Sequence, residues 1–369
     1  MIREELAKYY PNITLEYHTM PADMLDSLVV WMTSRDDTVD IYGIDVPWVA
    51  QFGRAGWAVP LNDYLPQLET DFAAGGLETF SYEGNRIGVP FWNSVTGLFY
   101  RTDILEEYGF SPPETIDEMV EIIETVQADR PDMTGFLWPG ARRESLVMFY
   151  STLLHAFGGS YRGDDGSFQF DSPASKKAVE FMITTIQEGY SPRAVTGWER
   201  MEMRPRFVDG EAIFSWDNAD IITWLDNPDR SGVAGKWDFM PFPAQPEGRP
   251  VSISGGFAFA LNPYGGKVDF AAQVLEVIAS RTVQKGFALS WGPVQHYRGL
   301  YDDPKVQEYN PNTEKLAPVV EVTINRPPSR SYAELSSILQ EELHSAITGT
   351  RDVDTALRNM ARRSAVIDR

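Results

Sequence analysis

The stretch from Ile87 to Met119 reads IGVPFWNSVTGLFYRTDILEEYGFSPPETIDEM. Its first part, Ile87 to Tyr100, is rich in β-branched and aromatic residues and reads as a strand. The cluster Phe91, Trp92, Asn93 and Ser94 interrupts it. The chain then turns at Arg101-Thr102-Asp103 into a short helix over Ile104 to Tyr108. Gly109 suits a C-cap, Pro112-Pro113 block continuation, and Thr115 is placed to cap the next helix with Glu118 at the capping-box position. A strand that displays aromatics and amides, then crosses at once into a new helical layer, has the pattern of a hinge between two lobes.

Working outward, the 369 residues exceed what a single core comfortably fills, so two domains are expected. The formal net charge of -21 repels phosphate backbones and argues against nucleic acid as a partner; its plainer role is solubility. With no cysteine, the chain has neither a thiolate nucleophile nor a thiolate metal site, and no thiol to mis-pair in an oxidising compartment. His18, His155, His296 and His344 are too far apart for a helical i,i+4 pair, so no metal site is expected and no cofactor is implied. G-x-S-x-G, H-E-x-x-H, Walker A and G-x-G-x-x-G are all missing, and no catalytic residue is nominated. Carboxylates are numerous enough that a glycosidase-like pair stays open as an alternative. Asp164-Asp165 between Gly163 and Gly166 lack EF-hand spacing and read as a surface turn. No apolar run approaches the ~20 residues of a membrane span. The opening Met1-Ile2-Arg3-Glu4-Glu5 reads as a charged amphipathic helix, not a signal peptide.

Ile2, Leu6 and Tyr9 share one face of that helix, and Ile13, Leu15 and Tyr17 alternate as a strand. Met24 to Met32 is helical, Val39 to Ile44 is a buried-type strand, and Pro47 opens another helix. This alternation predicts an α/β layer with parallel pairing. Further helices are read at Ile116 to Val126, Leu146 to Ala156, Ser172-capped Pro173 to Gln187, Lys267 to Arg281, Tyr332 to Thr348 and Val353 to Arg363. Val251 to Leu261 reads as a strand whose Gly255-Gly256 mark a close backbone approach.

Recognition chemistry concentrates where regular structure is interrupted. Asp45 and Trp48 follow the Val39–Ile44 strand, at the carboxyl end where open α/β sheets hold ligands; the competing role for Asp45 is a helix cap. Trp92, Asn93 and Ser94 offer a ring and polar groups, against the alternative of an edge bulge. Trp216 and Asn218, with Asp217 between them, end another strand; an ordinary buried tryptophan is the alternative. Flat rings suit the C–H face of a pyranose, and carboxylates, amides and guanidinium groups suit its hydroxyls.

The ordered run Gly88-Val89-Pro90, Tyr100-Arg101-Thr102-Asp103-Ile104-Leu105, Gly109 and Pro112 to Glu118 resembles the family 1 extracellular solute-binding proteins of ABC transporters, of the maltose/trehalose-binding type. Asp45 to Trp48, Trp138 to Leu146 (WPGARRESL), Arg206 to Trp216 and Val251 to Leu261 resemble further segments of that family. Ser290 to Arg298 does so partly, departing at Gln295-His296-Tyr297. The resemblance covers almost the whole chain. It implies a two-lobe, type II (Venus-flytrap) periplasmic-binding-protein fold, each lobe a sheet flanked by helices, with three crossings near residues 101, 255 and 325. The lobes would be 1–101 with 256–325, and 102–255 with 326–369. It further implies a signal segment and a first strand ahead of this chain's first helix.

On the same resemblance, Glu144 and Arg326 join the ligand set, as do Gly255, Gly256 and Phe257. The competing roles are a favourable helix-dipole contact for Glu144 and an interlobe salt bridge for Arg326. Maltose- and trehalose-specific relatives usually carry tryptophan where Phe257 stands. The implied function is to bind a neutral carbohydrate, a di- or oligosaccharide or a glycoside, by hinge closure and to deliver it to a membrane permease. The protein would be a periplasmic or lipid-anchored monomer. A polyol or glycerol-phosphate cargo is the alternative within binding, with Arg142-Arg143 and Arg326/Arg330 as candidate phosphate partners.

Overall fold

The computed structural model describes residues 1–19, 24–290, 296–327, 329 and 331–367. The chain divides into two units. Unit 1 holds Met1–Ser94, Gly255–Thr313 and Pro328–Ala333; unit 2 holds Val95–Ser254, Glu314–Pro327 and Glu334–Arg369. The sequence reading put its boundaries at 101, 255 and 325, whereas the first division falls inside a strand, between Ser94 and Val95.

In chain order the first strands are β1 (Ile41–Asp45), β2 (Ser81–Tyr82), β3 (Asn85–Arg86) and β4 (Val89–Arg101). They are followed by β5 (Thr134–Leu137), β6 (Ala212–Asn218), β7 (Trp237–Met240), β8 (Ser252–Leu261) and β9 (Thr323–Ile324). β4 and β8 each run through both units.

In unit 1, β1 pairs with β8 from Ile41↔Leu261 to Asp45↔Phe257. This pairing is antiparallel, which corrects the parallel expectation: β8 returns from unit 2 and runs against β1. Helices Ile2–Tyr9 and Val268–Ala279 cover a core that includes Leu6, Leu61, Phe72, Val89, Leu275 and Phe287. Tyr9 departs from its expected face and is exposed, while Glu5 is buried beside it and pairs with Lys8. Ile13 and Leu15 pack on this core, but Ile13 to Tyr17 joins no sheet. The Leu15 carbonyl accepts from the Arg3 side chain in place of a ladder partner.

In unit 2, β4 pairs antiparallel with β6 (Thr96↔Asn218 to Tyr100↔Phe214) and with β7 (Leu98↔Met240 to Arg101↔Trp237). β5 pairs parallel with β6, and β8 parallel with β9 at Ser252↔Thr323. Gly97 is required here, because a Cβ would lie 2.5 Å from the Met240 carbonyl oxygen of β7. The apolar helix Glu144–Ala156 lays Phe149 among Phe136, Trp138, Trp216 and Phe242.

Local signals are where the sequence places them. Gly109 ends the helix Thr102–Tyr108 with φ 74, a conformation open to glycine at little cost. Ser172 caps Pro173–Gln187 through the Ser175 N–H. The Gly163–Gly166 turn closes through Gly166 N–H to the Gly163 carbonyl, with the Asp165 carboxylate accepting from Ser167. Of the segments singled out, Trp291, Gly292, Pro293, Gln295 and Arg330 lie outside the described residues.

Thr115 and Glu118 form both arms of a capping box on Ile116–Asp129. Replacing Thr115 by Ala removes one acceptor of an N-terminal N–H. The expected loss is about 1 kcal/mol in urea unfolding with an unchanged m-value.

Candidate functional site

Unit 1 gathers an acid and three rings. Asp45 is the last residue of β1 and its cross-strand partner is Phe257. Asp45 is 8% exposed, and its side chain does not cap the turn that follows, so the capping role is not the one it plays. That turn runs Val46–Trp48, with Pro47 in its first positions. The Trp48 ring meets Phe257 edge-on at 6.1 Å between centroids and stacks on Phe52 at 6.3 Å. Trp92 of β4 lies 5.8 Å from Phe257, and Phe91 6.4 Å. Phe257 is therefore the shared neighbour of both tryptophans. Trp92 and Asn93 are half-buried; Ser94 is wholly buried and its hydroxyl has no hydrogen-bond partner among the described residues. A Cβ on Gly256 would come within 3.0 Å of the Trp92 carbonyl and 3.1 Å of Asn93 Oδ1, so the missing side chain is explained by the neighbouring strand. Gly255 precedes it as the first residue of β8 in unit 1.

Unit 2 gathers charged and polar groups. Glu144 opens the helix Glu144–Ala156. Its Oε1 lies 3.0 Å from Arg326 Nη1, and its Oε2 accepts from the Ser336 hydroxyl at 2.5 Å. The ion pair weighed as the alternative role for Arg326 is thus made, with an acid of the same unit. Arg326 is only 3% exposed. Burial pushes the nearby Tyr161 phenol above its ordinary pKa; Ser151 and Arg326 act against the shift and Glu144 with it. Tyr161 therefore lies within electrostatic reach of the same pair, a residue that the sequence reading did not nominate. Its only signal is its place after the Gly158-Gly159 turn that ends the helix.

Asn218 ends β6, opposite Thr96 of β4. Its side-chain oxygen is buried without a hydrogen-bond partner among the described residues. Its N–H donates to Asp217 Oδ1 at 2.6 Å. Asp217 is held in turn by both arms of Arg204, at 2.9 and 2.8 Å, and Arg204 also reaches Asp220 at 2.8 Å. Burial opposes the Arg204 charge, but Asp217 and Asp220 override it and hold the guanidinium above its ordinary pKa. Arg204 was likewise not nominated. It positions Asn218 through Asp217.

Trp216 stands apart from this set. It is 0% exposed, donates to Thr152 Oγ1 at 3.2 Å and tilts against Phe149 at 5.4 Å. This fits the alternative of an ordinary buried tryptophan: Trp216 packs in the core of unit 2. Among the described residues no group of three or more metal-ligating side chains is assembled.

The model of the bacterial extracellular solute-binding proteins matches residues 1–285. The chain belongs to that family. A probable ABC transporter-binding protein of Deinococcus radiodurans is 26% identical over 339 residues, covering 89% of this chain and 79% of the relative. A maltotriose-binding protein of Pyrococcus abyssi is 26% identical over 275 residues, covering 72% of this chain but only 53% of the relative. Among solved structures, maltose-bound MalE3 of T. maritima is 28% identical, with a TM-score of 0.89 over 98% of this chain and 94% of that one. The fold is that of the two-lobe periplasmic binding proteins, and the chain is a binding protein, not an enzyme. The hydrolase alternative falls with that assignment. The family is extracellular, which implies a periplasmic or surface location. No helix among the described residues is long and apolar enough to cross a membrane.

Replacing Trp216 by Ala leaves a cavity, while the Thr152 hydroxyl keeps its bond to the Met148 carbonyl, and should cost about 3–5 kcal/mol. Trp216→Phe should lower Tm while leaving ligand affinity, read by calorimetry, within about threefold. A selective loss of affinity at unchanged Tm would restore Trp216 to the ligand set.

Proposed function

We propose that this protein binds a neutral carbohydrate, a di- or oligosaccharide or a glycoside, and delivers it as a monomer to the membrane permease of an ABC importer. The observation that carries the reading is the unit 1 arrangement of Trp48, Phe257 and Trp92 beside the strand-end carboxylate Asp45. Ring faces pack on the apolar face of a pyranose, and a carboxylate accepts from two vicinal hydroxyls. Asn93, Ser94, Gly255 and Gly256 adjoin it on the same two strands. In unit 2, Asn218, Glu144 and Arg326 supply amide, acceptor and donor. The names of two relatives, a maltotriose-binding protein and a maltose-bound MalE3, support the same class of cargo. Binding would work by hinge closure, the ligand favouring one state of the two lobes by its differential contacts.

Calorimetric titration against maltose, maltotriose, trehalose, ribitol, mannitol and glycerol 3-phosphate tests the reading. Micromolar or tighter binding of one sugar is expected. Trp92→Ala should weaken it by about thirtyfold or more, as truncation of an aromatic anchor does. Asp45→Asn should weaken it by about tenfold. Heat only from a polyol would keep the protein's class and replace its cargo. Affinity unchanged in both variants would move the site elsewhere.

A further inference from the structure

The Glu144–Arg326 pair decides more than stability. A buried guanidinium presents a rigid fork of donors that suits phosphate and carboxylate groups. Arg326, almost fully buried in an acidic protein, would on its own be an anion site. It is not on its own: Glu144 Oε1 sits 3.0 Å from its Nη1, and Ser336, itself buried, fixes the other carboxylate oxygen. The acids further along the helix Tyr332–Ile347 do not supply this compensation. Glu342 is held by Arg351 and Arg363, and Glu341 by Arg363. The local sum at the Glu144–Arg326 pair is one positive and one negative charge.

We infer that Glu144 sets the charge class of the ligand. By neutralising Arg326 it makes the unit 2 cluster select uncharged polyhydroxy compounds over phosphorylated ones. The inference rests on the carbohydrate-binding reading above and deepens it. A sugar hydroxyl can donate to the carboxylate and accept from the guanidinium at once. A phosphate gains the same guanidinium but brings its own charge against Glu144, a like-charge contact. Glu144 thus acts as the repulsive element of the site and Arg326 as the attractive one.

The test uses Glu144→Gln, which keeps the side-chain shape and an acceptor for Ser336 but removes the charge. Wild type and variant are titrated by calorimetry with maltose, with glycerol 3-phosphate and with inorganic phosphate, at low ionic strength. Thermal unfolding confirms that each is folded. Wild type should favour maltose over both phosphates by at least about a hundredfold. Glu144→Gln should gain at least about tenfold for glycerol 3-phosphate, and the gain should vanish in Glu144→Gln/Arg326→Gln. A folded Glu144→Gln with no gain overturns the inference. So does wild type binding a phosphate as tightly as the sugar, a result that needs no variant to fold. If wild type binds no sugar but Glu144→Gln acquires phosphate binding that Arg326→Gln removes, the carbohydrate reading fails and the role of Glu144 stands.

Discussion

Every buried N–H and C=O of a strand must find a partner, and β4 has to meet that demand along thirteen residues that serve two units. In unit 2 it is met by β6 on one side and β7 on the other. In unit 1, Pro90 has no N–H to offer a ladder, and its carbonyl accepts from the buried Gln284 amide instead. These partners lock the register. A slip of one residue would turn Leu98 and Tyr100 together onto the opposite face of the sheet and drive Gly97 out of the gap that fits it. Trp92, Asn93 and Ser94 therefore sit where they do because the strand on either side of them cannot move.

Charge obeys a similar constraint. The buried or nearly buried arginines of unit 2 are each committed to acids: Arg204 to Asp217 and Asp220, Arg101 to Asp103, Arg326 to Glu144. A charge removed from water is tolerated only when paired, so these contacts are weak evidence of added stability. Their effect is on position. Arg204 fixes Asp217, Asp217 takes the Asn218 N–H, and the Asn218 amide oxygen has no hydrogen-bond partner among the described residues. Ser336 does the same for Glu144.

What could be read from the sequence was what local chemistry fixes. Gly109, Thr115 with Glu118, and Ser172 with Pro173 act over three or four residues, and each stands in the predicted role. The two-lobe class was legible because the hinge run around Tyr100 to Glu118 is long and ordered. Partners distant in sequence were not legible. Trp48 and Trp216 both end a strand region and look alike as text, yet one adjoins Phe257 beside Asp45 and the other fills the core. Only the strand alternation and the helix packed above it separate them. Glu144 and Arg326 are 182 residues apart, and nothing along the chain announces that they meet. The Ile13–Tyr17 alternation was a true signal of a half-buried face at Ile13 and Leu15, though not at the exposed Tyr17, and a false signal of a ladder, since periodicity reports burial and not hydrogen bonding.

On the proposed reading, the unit 1 group would hold a small ligand with few residues. Asp45 and Phe257 are cross-strand partners, and Phe257 touches both Trp48 and Trp92. Each ring restricts its neighbour, so the rotamers are ordered when the unit folds and not when a ligand arrives. Side chains immobilised on binding cost roughly 0.5–1.5 kcal/mol each. A group of aromatics on paired strands avoids most of that cost, which a loop of the same composition would not. The hydroxyls of a sugar are weak handles individually, since each exchanges a bond to water for a bond to protein. Affinity for such a ligand has to come from a surface already in shape, and two paired strands carrying interlocked rings supply one.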